Sequence, residues 1–146
     1  MRRSAFFLLL LPVLGLVVSA CAAGGTDTQP RNLRVAMTDD MSYDPASFEF
    51  AAGETVTFEV SNEGAVRHEF FIGTLEDQEE HAEEMEEGAH ADDDEHADPI
   101  TLSVEPGASG TLTYTFDEAG ELLVGCHEPG HYDAGMVAPI TVNPGS

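Results

Sequence analysis

The chain has no tryptophan and no lysine, and only two cysteines. Five arginines stand against 28 acidic residues, for a formal net charge of -23. So few cations exclude nucleic acid as a partner, because holding phosphates requires clustered Lys and Arg. The same charge disfavours lying directly on an anionic bilayer and favours cationic partner surfaces or metal ions. Two cysteines cannot supply the disulfide framework of a small secreted scaffold. Only one long apolar run exists, and it lies at the amino terminus.

Met1-Arg2-Arg3 is followed by an apolar stretch from Ala5 to Val18, which closes on Val18-Ser19-Ala20-Cys21. Such a segment is too short and wrongly flanked for a spanning helix and reads as a secretory signal over 1–20. Cysteine directly after small residues resembles a bacterial lipobox, so Cys21 is expected to be acylated and to anchor the chain outside the cytoplasm. A disulfide from Cys21 to Cys126 is the alternative for a two-cysteine exported chain. Residues 21–31, with Gly24, Gly25, Thr26, Asp27 and Thr28, have no apolar period and predict a flexible tether. Residues 32–146 suffice for one small domain and not two.

The domain alternates with a period of two. Leu33, Val35 and Met37 share one parity, as do Phe48 and Phe50, then Val56, Phe58 and Val60, then His68, Phe70 and Ile72. Ile100, Leu102 and Val104 follow, then Leu112, Tyr114 and Phe116, then Leu122, Val124 and Cys126, and finally Ile140 and Val142. Turn residues at Ala52-Gly53-Glu54, Asn62-Glu63-Gly64, Glu105-Pro106-Gly107 and Glu118-Ala119-Gly120 separate the runs. The pattern predicts an all-β sandwich of eight short strands, most with one apolar and one polar face.

Near the carboxyl terminus, Cys126, His131 and Met136 lie at C-x4-H-x4-M spacing, just ahead of the last apolar strand. Soft sulfur with imidazole nitrogen favours copper over calcium, magnesium or manganese, and two His, one Cys and a weak Met form a blue-copper ligand set. Zinc is the competing metal. A second histidine must come from elsewhere. By parity His68 points to the core with Phe70 and Ile72, Glu69 points outward, and Cys126 points inward with Val124. His68 and Cys126 can thus converge at one end of the sandwich, where the loop returns His131 and Met136.

From Leu33 to Val142 the pattern resembles a cupredoxin, the plastocyanin and azurin superfamily. The resemblance rests on Asn62-Glu63-Gly64, Arg67-His68-Glu69-Phe70, Cys126, His131, Met136 and the closing strand 138–142. It implies a Greek-key sandwich with one type 1 copper at one end. The implied equatorial ligands are His68, Cys126 and His131, with Met136 axial. It also implies electron transfer without catalysis, between redox partner proteins.

Two departures stand out. His127 follows the thiolate and by parity faces away from it, so an exposed or locally hydrogen-bonded histidine is expected. Adjacent Cys-His pairs also occur in two-copper enzymes, so a red-copper or two-copper enzyme is a further alternative. The acidic segment 74–99 is an insertion, in which Asp77, His81 and Met85 would share one face of a short helix. With His90 and His96 they form a candidate secondary metal site, and a copper chaperone, storage or resistance role is the main functional alternative. Otherwise the segment is a solvated, self-repelling loop. The overall expectation is an exported, lipid-anchored, monomeric copper protein whose redox partners dock through a cationic surface.

Overall fold

A computed structural model describes residues 30–86 and 101–145. Two sheets face each other. The first has strand order β2-β1-β4-β7, from β1 (Arg31–Thr38), β2 (Ser42–Asp44), β4 (Glu54–Asn62) and β7 (Ser109–Phe116). The second has order β3-β9-β8-β5-β6, from β3 (Phe48–Ala51), β5 (His68–Gly73), β6 (Thr101–Val104), β8 (Gly120–Gly125) and β9 (Val137–Asn143). β1 runs parallel to β4 and β3 parallel to β9, while the other pairs are antiparallel. These two sheets form the expected cupredoxin sandwich. The extra strand is β2, whose three residues bury only Tyr43 and are too few to show a period.

The alternating residues become the core. β4 buries Val56, Phe58, Val60 and Asn62 and leaves the residues between them partly exposed. Phe58 is fully buried, with the rings of Phe48 and Phe50 edge-on at 6.2 and 5.9 Å and Phe70 tilted at 5.1 Å. Aromatic pairs favour such edge-to-face geometry because the positive ring edge meets the negative face.

β5 departs from the expected alternation, since all six of its residues are buried. Its outer face lies under α1 (Leu75–Glu86), which belongs to the acidic insertion; residues 87–99 of that segment lie outside the described residues. Thr74 caps this helix: its hydroxyl and backbone N–H both donate to Asp77 Oδ2 at 2.7 Å, and the Asp77 N–H donates back to Thr74 Oγ1 at 3.2 Å. That reciprocal arrangement satisfies helix-start donors, and Glu76 and Asp77 suit the positive end of the helix. Gln78 seats the helix by donating from Nε2 to the carbonyls of Phe71 (3.4 Å) and Leu123 (3.2 Å), so it bridges β5 and β8. A side chain at Gly125 would collide with Gln78 Oε1 and the Tyr132 ring, so only glycine admits this contact. Glu69 therefore does not face solvent, because the face it turns to is covered.

Truncating Phe58 to Ala is expected to cost about 3–5 kcal/mol in urea unfolding of the metal-free protein, with an unchanged m-value. A loss below about 1 kcal/mol would contradict the central packing of this ring.

Candidate metal centre

His68 opens β5, and the turn before it is pinned on both sides. Asn62, buried at the end of β4, donates from Nδ2 to the carbonyls of Val66 (2.8 Å) and Val104 (2.9 Å), while its Oδ1 accepts the Gly64 N–H at 2.9 Å. The Asp39 carboxylate accepts the Ala65 N–H at 3.0 and 2.9 Å. A Cβ at Gly64 would collide with that carboxylate, so the turn needs glycine for close approach. His68 Nε2 lies 3.4 Å from Asp39 Oδ1 without forming a hydrogen bond, and the contact becomes ionic only if the imidazole is protonated. Burial pushes the His68 pKa down, helped by the neighbouring His131 and opposed by Asp39. Asp39 is held low mainly by the Ala65 N–H. His68 is thus neutral at physiological pH, with a lone pair available for a metal.

The other candidates share one loop, which closes on itself. The Cys126 N–H donates to the Met136 carbonyl at 3.1 Å, the Met136 N–H to the His131 carbonyl at 3.0 Å, and the His131 N–H to the Glu128 carbonyl at 2.9 Å. Gly130 and Gly135 take φ of 81° and 99°, which side chains rarely adopt. Arg67 Nε pairs with Glu128 Oε1 at 2.6 Å and ties the loop to the turn before His68.

Three donor atoms converge there. Cys126 Sγ lies 3.3 Å from His131 Nδ1 and 4.0 Å from His68 Nδ1, and the ligand atoms of all three residues fall within 4.8 Å of one another. Bonds of about 2.0–2.3 Å in a trigonal plane would separate such donors by about 3.5–3.8 Å, so a single small ion fits between them. Met136 is fully buried at the end of the same loop. Of the four, only His131 is partly exposed.

The pattern describing copper binding proteins of the plastocyanin/azurin family matches residues 31–143. The chain belongs to this family. Its metal is copper, and thiolate, two imidazoles and a thioether suit that ion. Among relatives, a copper-resistant cuproprotein CopI of Rubrivivax gelatinosus is 42% identical over 112 residues, covering 77% of this chain and 66% of that protein. A protein of the same description from Pseudomonas aeruginosa is 38% identical over 131 residues, covering 72% of each. The chain thus spans about two thirds of the length of these relatives. Of solved structures, a dithionite-reduced auracyanin of Roseiflexus castenholzii aligns with TM-score 0.65 and 28% identity, over 82% of this chain and all of that one.

The remaining candidates have other surroundings. His127 faces away from the cluster but is buried under α1, where its Nε2 meets Gln78 Oε1 at 2.8 Å and its ring stacks on Tyr132 at 4.7 Å. Burial holds its pKa down, with Glu69 opposing. His81 Nε2 turns to the buried Glu69 carboxylate, at 3.1 and 3.2 Å from its oxygens. Asp77 is engaged at the helix cap and Met85 lines a cavity with His127, so the helix face drawn from spacing is divided among three tasks. His90, His96 and Cys21 lie outside the described residues. Sequence reasoning did not identify Asp39, Asn62 or Gln78, and gave Glu69 no role. The one available signal was Asn62-Glu63-Gly64, read as a turn and as part of the cupredoxin resemblance but without a role for the Asn62 side chain.

Burial pushes the Cys126 thiol up to about 11, with the Glu69 and Glu128 carboxylates adding to the rise and backbone N–H groups opposing it. The metal-free thiol is therefore protonated at neutral pH, and its reactive anion accumulates only as pH approaches that value. Alkylation at Cys126 in the folded metal-free protein at pH 8, followed by peptide mass spectrometry, should run at least about 100-fold slower than in urea-unfolded chain. Equal rates would refute this account of the thiol.

Proposed function

We propose that this chain is an extracytoplasmic type 1 copper protein that carries single electrons. The observation behind this reading is the convergence of two imidazole Nδ1 atoms and one thiol sulfur at the buried end of the sandwich. Bound copper supplies a one-electron Cu(II)/Cu(I) couple there. The chain's part is to hold the donors in one arrangement for both states. Asn62 and Asp39 fix the His68 turn, and the loop bonds among Cys126, His131 and Met136 fix the others. A frame that changes little between states keeps reorganisation small. His131, the one partly exposed candidate ligand, is the natural route between metal and partner. Four protein donors leave no evident position for a substrate, which favours a carrier over an enzyme. The anionic surface suits partners with a cationic docking face, and acylated Cys21 would keep a monomeric domain near the membrane.

A second reading treats copper as cargo. Two relatives are described as copper-resistant cuproproteins. In addition, a cavity of about 320 Å³ between α1 and the ligand loop is lined by Met85, Glu86, His127 and Asp133, donors that could take another ion.

Adding Cu(II) to the purified protein separates the two. The carrier reading expects an intense visible band at one copper per chain, bleached by reductant, restored by oxidant and abolished in Cys126→Ser. No such band in the wild type would sink it. Further tightly bound copper, lost when Met85, His90 and His96 are replaced together, would favour the cargo reading.

A further inference from the structure

Glu69 is the only fully buried carboxylate among the described residues, and it lies next to a candidate copper ligand. β5 and β8 pair at Gly73 with Leu123, Ile72 with Val124 and Phe71 with Gly125. Extending that register sets Glu69 opposite His127, but the ladder stops short of this rung. Both backbone donors of the missing rung end on side chains instead. The Glu69 N–H donates to Cys126 Sγ at 3.3 Å, and the His127 N–H donates to Glu69 Oε2 at 3.1 Å. The Glu69 carbonyl accepts the Tyr43 hydroxyl of the opposite sheet at 2.7 Å. The residue is thus held at its N–H, its C=O and its carboxylate.

The carboxylate's remaining contact comes from α1. His81 Nε2 reaches both of its oxygens, while the His81 ring stacks on Phe71 at 4.2 Å and meets His127 edge-on at 5.1 Å. A buried carboxylate without such a partner would be strongly disfavoured and would seek water. We propose that Glu69 and His81 are positioning residues for the copper thiolate. Through His81, the insertion helix keeps the Glu69 carboxylate across the missing rung, which fixes the peptide whose N–H reaches Cys126 Sγ. This inference rests on the type 1 reading above.

A hydrogen bond to the thiolate withdraws electron density from sulfur and weakens its donation to Cu(II), so it tunes both colour and potential. Loss of the His81 contact loosens that bond. The His81→Ala protein is expected to show its thiolate-to-copper band at longer wavelength. Its potential should fall by up to about 59 mV, a tenfold change in a one-electron equilibrium. In the diamagnetic Cu(I) form, the Glu69 amide should exchange faster with solvent. His81→Gln, whose amide can replace the Nε2 donor, should restore the band. Glu69→Ala should shift the band in the same direction, and the double variant should shift it no further than the larger single change, because the two residues act as one unit. Should His81→Ala fail to fold, Glu69→Ala carries the test, since it leaves no unpaired buried charge. Unmoved bands in the folded variants, or strictly additive shifts, would overturn the proposal. A wild-type protein without the band would instead overturn the type 1 reading.

Discussion

A sulfur atom that must give up its proton in a place where burial keeps the proton on is the constraint around which the rest is arranged. Burial and two nearby carboxylates hold the Cys126 thiol up at about 11, and backbone donors offset only part of that rise. A cation is therefore needed to favour the anion, and ligand binding and deprotonation are one event. Two imidazoles complete a set that matches a borderline-soft ion. The surrounding hydrogen bonds through Asn62, Asp39 and the loop backbone fix these donors by contacts that do not involve metal.

The sandwich supplies that fixed frame, and the insertion modifies it. An ordinary two-sheet domain would leave one face of β5 wet. Here Gln78 and His81 of α1 cover it, so a strand carrying a candidate metal ligand is packed on both sides. The two sides differ in chemistry. The inner side is aromatic, around Phe58 and Phe70, while the outer one is a polar cluster of Glu69, Gln78, His81 and His127. Burying that cluster is tolerable because each of the four has a hydrogen-bond partner within it, in line with the general satisfaction of buried polar groups.

Much of this was legible in the sequence, because a period of two is written directly into the strands. Parity pointed His68 and Cys126 inward and His127 away, and all three side chains take those directions. The Cys126 to Met136 spacing marked the candidate ligand loop, and glycines at 130 and 135 marked its bends. What could not be read was which side chains outside the ligand set meet across elements. Glu69 looked solvent-facing because parity assigns a side and not what covers that side. His81 and Met85 looked like neighbours because helical spacing sets a face, but the groove beneath decides where each side chain turns. Asp39 and Asn62 sit far from His68 in sequence or inside a turn, where polar residues are expected for local reasons alone. Tyr43 lies in a strand too short to have a period.

Surface insertions are ordinarily the most dispensable parts of a domain. The covering of β5 by α1 removes that freedom. Once Phe71 and Glu69 have been accommodated beneath a helix, deleting residues 74–99 would bare an aromatic ring and strand a carboxylate at the same stroke. Reverting to a plain sandwich would then require compensating changes in the strand beside the candidate metal ligand. The insertion is thus part of the domain's packing and not an appendage to it.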